Sequence, residues 1–382
     1  MDEADVELGR LNLIIGLQSS GKSCVMVIAC YCSWVEKRIA LRQSPSEFEA
    51  KGLFMERLVS YYHIKGYVKS NTKIEYETEF MRFAYDNETH TFEHRWKNLH
   101  WRYKRPKVSY VPAERNMVSL ISNWSKLATS YENILDFKVD WDVARAFMEK
   151  EVNILGLGIT YKYDAAEQTD TIITLDGQPI EMMNGSSGVQ SLVPQYVLLD
   201  YLCQGIYQAE TEKRGRTLSE KNMAHNLLEL LYKKNSRRFP QDYMGNETNI
   251  VSGIEGKDFI FPTEKEANKF KKEAGYLLYT DHAEVFLEEP ESNLFPTTQC
   301  HLMDWIAEAA TNKKRRHFFF IATHSPYVLD HLIHENIDDF RLFLTKSRGN
   351  GLYSVKTASE EEMQQVFDNG SDAFFNIDTL AN

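Results

Sequence analysis

The sequence predicts an α/β protein built around a phosphate-binding loop, and three observations support this prediction. A short apolar run at 11–15 leads into a glycine-bearing loop and then into a helical pattern. Two further apolar runs, in "EVFLEEPE" and "FFFIATHSP", end in side chains that can act on phosphates. Because the carboxyl ends of parallel strands meet at one edge of a sheet, all three segments are expected to face the same cavity.

The first segment, "LNLIIGLQSSGKSCVMVIAC", has the strand–loop–helix order of a P-loop. Gly16 and Gly21 permit a tight turn whose backbone N–H groups point inward, and the following helix directs its positive end at the same cavity. Lys22 is expected to reach the β- and γ-phosphates, and Ser23 to ligate Mg²⁺. We therefore predict ATP and Mg²⁺ as cofactors, with the nucleotide held by Gly16, Gln18, Ser19, Ser20, Gly21, Lys22 and Ser23. An ordinary glycine turn before a core helix is the alternative.

The two other apolar runs are predicted to supply the catalytic side chains. Glu288 and Glu289 follow the run "VFL", and Glu288 is expected to hold Mg²⁺ while Glu289 polarises the attacking water. The alternative is a solubilising strand end, which the proline that comes next makes less generic. His324 follows "FFFIAT" and is expected to contact the γ-phosphate and the attacking water, although a lone histidine is more often structural.

A second anion site is predicted at "NGSSGVQS", where small residues open a helix at Val189 or Gln190. The P-loop of one chain is expected to bind one ATP molecule, which has a single γ-phosphate. A second phosphate-binding helix start therefore suggests that ATP is shared between two chains.

In this order, "GLQSSGKS", "SSGVQ", "FLEEPE" and "ATHSP" resemble the ATPase head of the ABC superfamily. The resemblance is to the branch that contains structural-maintenance-of-chromosomes (SMC) proteins and the OLD-type (overcoming lysogenization defect) ATPases of bacterial defence. It implies an ABC-type P-loop ATPase head with a mixed β-sheet, an antiparallel β subdomain and a helical insertion. It also implies a head-to-tail ATP sandwich, in which Ser187, Gly188 and Gln190 of one chain contact the nucleotide of the other. "YVPAER" resembles a segment of bacterial members of this branch and receives no role from the sequence.

The sequence departs from the ABC pattern at several positions, and the departures bear on the rate of hydrolysis. Val189 stands where "LSGGQ" has a glycine, and Glu288 stands where an aspartate is usual. The chain shows no clear Q-loop glutamine, since Gln43 precedes the expected strands. The short arm before residue 11 predicts an abbreviated first strand.

Along the chain, the pattern predicts a single ATPase domain over 1–382 with helical and β insertions at about 41–150 and 205–275 and a C-terminal hairpin and tail at 335–382. Residues 45–70 are expected to be helical, with Tyr61, Tyr62 and Tyr67 in the core. The stretch 71–96 is expected to form a hairpin, and 116–150 to be helical. Two or three strands are expected between 153 and 183.

Composition narrows the function classes further. The net charge of −11 has the wrong sign for a protein that coats nucleic acid, although "HWRYKRPK", "KKNSRR" and "NKKRRH" are local basic clusters. Solvated surface charge is the more probable interpretation of each. Five cysteines without a disulfide or zinc spacing, an acidic N-terminus and no long apolar run predict a cytoplasmic protein without membrane spans.

These observations predict a slow ATPase that acts as a nucleotide-driven switch in bacterial anti-phage defence. The chain is expected to oligomerise on ATP and to control a separate effector such as a nuclease or toxin, with DNA or a phage product as a possible trigger. The competing hypothesis is a DNA-repair or chromosome-maintenance ATPase that clamps DNA between ATP-bound heads. A nucleotide sensor that does not hydrolyse ATP and a transporter subunit are weaker alternatives.

Overall fold

A seven-stranded mixed sheet forms the centre of the protein. The computed structural model describes residues 3–120, 132–148, 151–211, 218–239, 249–254, 257–335, 337–349, 352–370 and 372. The strands of the central sheet are β1 (Glu3–Asp5), β2 (Leu11–Ile15), β6 (Pro106–Val111), β13 (His282–Glu288), β14 (Phe318–Ala322), β15 (Phe340–Gly349) and β16 (Leu352–Thr357). Their order across the sheet is β1-β16-β15-β2-β14-β13-β6. Every neighbouring pair is parallel except β15–β16, the predicted hairpin.

The strands at the middle of this sheet are continuous apolar runs because both of their faces are covered. In β2, Leu11 and Leu13 point into one core, whereas Ile14 points into the other. Phe319 and Phe320 of β14 divide in the same way. Successive side chains of a strand point to opposite faces, so each of these strands is the common wall of two hydrophobic layers.

Helices cover both faces of the sheet. One face packs against α1 (Lys22–Arg42), with α2 (Leu53–Tyr62), α7 (Leu218–Ser236) and α8 (Glu264–Leu278) contributing to the same core. The other face packs against α4 (Glu132–Phe147), α5 (Ser187–Asp200), α9 (Pro296–Thr311) and α10 (Pro326–His334). A π-helical turn (Tyr201–Gly205) joins α5 to α6 (Ile206–Thr211). Within the described ranges, the remaining α-helices are α3 (Met117–Leu120) and α11 (Glu360–Asn369).

Three small antiparallel sheets lie outside the central one. The first contains β3 (Lys73–Glu77), β4 (Met81–Asp86) and β5 (Thr91–Trp96). The second contains β7 (Val152–Asn153), β8 (Thr160–Asp164), β9 (Thr169–Ile173) and β10 (Pro179–Glu181). The third pairs β11 (Ile250–Ser252) with β12 (Asp258–Ile260). The predicted fold class is therefore confirmed: the protein is α/β, with a mixed sheet, antiparallel β structure and a helical insertion around a P-loop strand.

Several element predictions need correction. The region 45–70 is helical only over α2 and a short turn, and Tyr67 is 70% exposed instead of lying in the core. The predicted hairpin at 71–96 has a third strand, and 153–183 carries four strands instead of two or three. The helix after "NGSS" begins at Ser187, before the predicted Val189, because Ser186 caps it by accepting from the N–H of Val189. Part of the predicted helix at 116–150, residues 121–131 and 149–150, lies outside the described residues.

Candidate nucleotide site

The loop between β2 and α1 has the backbone of a phosphate cradle. Ser19 and Gly21 adopt left-handed φ angles of 61° and 95°, which turn the chain sharply before α1 begins at Lys22. Gly21 is the residue type that takes such an angle without steric cost. Buried strand, tight turn and helix start follow one another as the sequence predicted.

Gly16 is required by its neighbour across the sheet. A Cβ atom on Gly16 would lie 1.6 Å from Oγ1 of Thr345 in β15, where no atom fits. The loop therefore leaves β2 in close contact with the adjacent strand. Thr345 is itself buried, and its hydroxyl has no hydrogen-bond partner among the described residues.

Lys22 lies across the inside of the loop. Its ammonium group donates to the carbonyl oxygens of Gly16 and Leu17, each at 2.9 Å. Burial lowers the pKa of Lys22 to about 8, opposed by the negative charges of Glu289 and Glu291. A buried cation at the start of a helix suits a polyphosphate.

The other predicted loop residues divide into two groups. Gln18, Ser19 and Ser23 are exposed at the surface of the loop. Ser20 is buried, and its hydroxyl has no partner among the described residues. Ser23 is therefore available to a metal ion or to solvent, whereas Ser20 is part of the wall of the loop.

The two acids after β13 occupy different environments. One carboxylate oxygen of Glu288, Oε2, accepts from the hydroxyl of Tyr110 in the neighbouring strand β6. Glu289 has a left-handed φ of 43°, and its backbone N–H donates to the carbonyl of Ala322 at 2.8 Å. Its side chain accepts from Ser292 Oγ at 3.0 Å and lies 3.6 Å from Nε2 of His324.

His324 follows β14, and β14 lies between the P-loop strand β2 and β13, the strand that ends in Glu288. Burial and the positive charge of Lys22 lower its pKa, and Glu289 opposes this effect, so the neutral imidazole is favoured. Its backbone N–H donates to Oε1 of Glu291 at 2.7 Å. The structure thus brings Lys22, Glu289 and His324 together at one edge of the sheet.

Two residues that the sequence analysis did not assign complete this edge. Glu291 is buried, and burial raises the pKa of its carboxyl group. Its Oε1 accepts from the backbone N–H of His324, and its Oε2 has no hydrogen-bond partner among the described residues. Arg115, from "YVPAER", is 1% exposed and donates to the carbonyl oxygens of Glu288, Glu289 and Pro290 at 2.8–3.0 Å. The only signal in the sequence was an arginine shortly after the apolar strand β6, and its burial became visible only in the structure.

The predicted second anion site, formed by Ser187, Gly188 and Gln190 and called the signature segment, lies at the start of α5. Ser187 is exposed and Gly188 is half-exposed; a Cβ on Gly188 would lie 3.1 Å from the carbonyl oxygen of Asn293. Gln190 is buried, and its side-chain amide donates to the carbonyl of Met183 at 2.8 Å. Ser187 and Gly188 can therefore be reached from outside the chain, whereas Gln190 in this conformation supports the turn before the helix.

The residues predicted for Mg²⁺ fit a hard cation in chemical type. Ser23 offers a hydroxyl at the first turn of α1, and Glu288 offers Oε1 while Tyr110 occupies the other oxygen. Oxygen ligands of this kind, completed by water and phosphate oxygens, are what Mg²⁺ requires. Such an ion would neutralise charge on the β- and γ-phosphates.

Each of the local basic clusters has members that contact other parts of the chain. Lys104 pairs with Asp281, and Lys107 pairs with Asp140 at 2.6 Å. Lys234 pairs with Glu273 at 3.1 Å. In the third cluster, Arg315 donates to the carbonyl of Asp281, and its guanidinium lies 3.4 Å from the ring centre of Tyr207. These contacts give structural roles to Lys104, Lys107, Lys234 and Arg315, whereas other members of the clusters, among them Arg102, Arg237 and Lys314, are exposed at the surface.

Two further expectations concern cysteines and membranes. All five cysteines lie in the described residues and carry free thiols: Cys24, Cys30, Cys32, Cys203 and Cys300. Among the described helices, none combines the length and the apolar character needed to cross a bilayer.

Comparisons with known proteins give only a remote likeness. No family model matches the sequence, and no curated protein matches it. Among solved structures, an SMC head bound to the C-winged-helix domain of ScpA is 12% identical, with a TM-score of 0.39, over 94% of this chain and 92% of that one. The SMC head domain from Thermotoga maritima is 11% identical, with a TM-score of 0.38, over 92% and 90%. A Pyrococcus furiosus Smc head with an extended coiled coil, bound to the C-terminal domain of ScpA, is 12% identical, with a TM-score of 0.29, over 94% and 93%. At such TM-scores the likeness carries no argument, and the function has to be inferred from the site.

Proposed function

We propose that this protein binds ATP with Mg²⁺ and hydrolyses it, and that the nucleotide controls association of the chain with a second copy. The observation that supports the proposal best is the convergence of Lys22, Glu289 and His324 at the carboxyl edge of one sheet. A glycine turn before a core helix would not require a buried lysine, a carboxylate and an imidazole beyond the ends of three neighbouring strands. The set is the one that phosphoryl transfer to water requires.

Each residue then has a defined task. Lys22 exchanges its bonds to the Gly16 and Leu17 carbonyls for oxygens of the β- and γ-phosphates. Glu289 accepts a proton from water as the water oxygen bonds to the γ-phosphorus and the bond to the β–γ bridging oxygen breaks. The neutral His324, 3.6 Å from that carboxylate, holds the water and a γ-phosphate oxygen by hydrogen bonds. Ser23 and Glu288 would hold the metal ion.

ATP binding and turnover can be tested directly with the purified chain. We expect phosphate release that depends on Mg²⁺, and we expect Lys22→Ala to abolish binding of a fluorescent ATP analogue because the buried cation is lost. Lys51→Ala removes an exposed lysine outside the site and should behave like the parent. Equal ATP affinity in all three proteins would refute the nucleotide site.

We further propose that two chains associate head to tail around ATP. Large apolar side chains are exposed beside the site: Leu17 in the phosphate loop, Phe295 after residues 288–291 (the acidic turn) and Tyr327 after His324. Exposed apolar groups of this kind, together with the accessible Ser187, suit a surface that another chain covers. Light scattering should show a dimer with ATP for Glu289→Gln and a monomer when Ser187→Arg is added. Ser70→Arg, a change at an exposed serine elsewhere, should leave the dimer intact.

For the role of the protein in the cell, we propose what the sequence suggests. The protein would be a cytoplasmic switch in bacterial defence, and a separate effector would supply the output. Affinity capture of the ATP-bound chain from cells that carry its neighbouring genes should retrieve a nuclease- or toxin-like protein. Capture of the chain alone, with and without ATP, would count against an effector.

A further inference from the structure

Arg115 holds the acidic turn through its backbone. The guanidinium donates to three consecutive carbonyl oxygens, of Glu288, Glu289 and Pro290, at 3.0, 2.8 and 3.0 Å. The side chain is 1% exposed and comes from a short 3-10 turn (Ala113–Asn116) directly after β6. A planar guanidinium has the donor geometry for such a row of acceptors, whereas a lysine ammonium has not.

This contact fixes the backbone from which the proposed catalytic carboxylate projects. Glu289 has the left-handed φ of 43°, which a residue with a side chain adopts only when its surroundings impose it. Arg115 binds the carbonyl side of the turn, while Ala322 of β14 accepts from the N–H of Glu289. The direction of the Glu289 side chain toward His324 therefore depends on Arg115.

The segment that carries Arg115 also contacts the signature helix. The 3-10 turn continues into α3, where the hydroxyl of Ser119 donates to the carbonyl of Gln190 at 2.8 Å. Ser119 and Gln190 are both buried, so this hydrogen bond is shielded from water. This hydrogen bond connects the first turn of α5 to the segment that carries Arg115.

A second connection joins the same helix to the same carboxylate. The side-chain amide of Asn293 donates to Oγ of Ser191 in α5 at 2.9 Å, and Asn293 has a left-handed φ of 65°. Its neighbour Ser292 donates to the carboxylate of Glu289 at 3.0 Å. Two separate hydrogen-bonded routes therefore run from α5 to Glu289, one through backbone carbonyls and one through the side chain.

We infer that Arg115 is a positioning residue for Glu289, and that Arg115, Ser119 and Asn293 couple the signature end of α5 to the hydrolytic carboxylate of the same chain. The inference rests on the proposed function, in which Ser187 meets the nucleotide of a second copy. Docking of α5 on the partner's nucleotide then aligns Glu289 in its own site. Each chain hydrolyses its own ATP fastest when its α5 is engaged at the other site, so the two sites of a dimer act together.

Hydrolysis at increasing protein concentration tests the coupling. For the parent, the rate per chain should rise as dimers form. Ser119→Ala and Asn293→Ala each remove one neutral hydrogen bond and should reduce that rise by about three- to tenfold. ATP affinity of the dilute chain should stay within twofold, because neither residue contacts the P-loop. Ser33→Ala is the matched control: it removes a buried hydroxyl that donates to Glu284 on the far part of α1, and should leave the rise unchanged.

A conservative change at Arg115 separates positioning from folding. Arg115→Lys keeps the charge and loses the planar fork; we expect a fall in kcat of about tenfold or more at a temperature well below Tm, with ATP affinity close to the parent value. Tm should fall in either case, because buried carbonyl oxygens lose hydrogen bonds. If Arg115 were only structural, Tm would fall while kcat of the folded protein stayed at the parent value. The coupling would be overturned if the rate of hydrolysis per chain rose with protein concentration in Ser119→Ala and Asn293→Ala as much as it does in the parent. A parent that binds or hydrolyses no ATP would instead refute the proposed function.

Discussion

Replacement of Glu289 by glutamine is the sharpest test of the catalytic assignment. The change keeps the size of the side chain and removes its ability to accept a proton from water. The amide oxygen can still accept from Ser292, and the amide nitrogen takes the place of the carboxylate oxygen that lies 3.6 Å from Nε2 of His324. The fold and the nucleotide loop should therefore persist.

The size of the effect follows from the role. Loss of a general base lowers a rate by about 10²- to 10⁴-fold, equal to about 2.7–5.4 kcal/mol in the activation free energy. Burial lowers the pKa of Lys22 to about 8 even with the opposing negative charge of Glu289 in place, so removal of that charge lowers this pKa further. The assay should therefore be run below pH 7, to limit loss of the Lys22 charge in the variant.

The measurement combines phosphate release with ATP binding and light scattering. We expect Glu289→Gln to bind ATP with the affinity of the parent, to release phosphate at least 100-fold more slowly, and to accumulate as an ATP-bound dimer. Glu308→Gln changes an exposed glutamate of α9 in the same way and is the matched control. A Glu289→Gln rate within about threefold of the parent would show that another group takes the proton.

Three further predictions concern the loop and a buried acid. Because burial lowers the pKa of Lys22 to about 8, ATP affinity should fall by up to about tenfold per pH unit above pH 8; isothermal titration would show proton uptake there and none at pH 6.5. Gly16→Ala should weaken ATP binding by about 100-fold, since the new methyl group overlaps Thr345 Oγ1; Gly66→Ala, where nothing lies within 4 Å, is its control, and equal affinities would contradict the steric argument. Burial raises the pKa of Glu36 from 4.5 to about 8. Between these two pH values the folded state keeps a proton that the unfolded state releases. The free energy of unfolding should therefore decrease as the pH rises from about 4.5 to 8. Glu36→Gln should remove this decline in urea unfolding and be more stable than the parent at pH 9; an unchanged pH profile would contradict it.

The sequence was sufficient for the parts of the fold that repeat a local pattern. The strands β2, β13 and β14 are buried on both faces, so each appears as an uninterrupted apolar run whose ends could be located. The P-loop, the paired acids and His324 follow directly from those ends. Their convergence required one further assumption, that the strands are parallel neighbours, and the sheet order satisfies it.

What the sequence did not provide depends on contacts between distant segments. Arg115 acts on carbonyl groups, and carbonyl groups have no residue-specific pattern along the chain. Thr345, which leaves no room for a side chain at Gly16, lies in a strand that is far away in sequence. Glu291 received no role from the sequence, because its burial and its hydrogen bond to the backbone of His324 depend on a segment that is distant along the chain.

The shortest strand of the central sheet has a consequence for handling the protein. β1 contains three residues, all exposed, and pairs with β16 at the outer border of the sheet. Two of the three, Glu3 and Asp5, are acidic, and like charges on so short a border discourage pairing with a foreign strand. An affinity tag that extends β1 with apolar, β-branched residues would create an unpaired hydrogen-bonding ladder, and we expect such a fusion to form sheet-mediated aggregates that the untagged chain does not form.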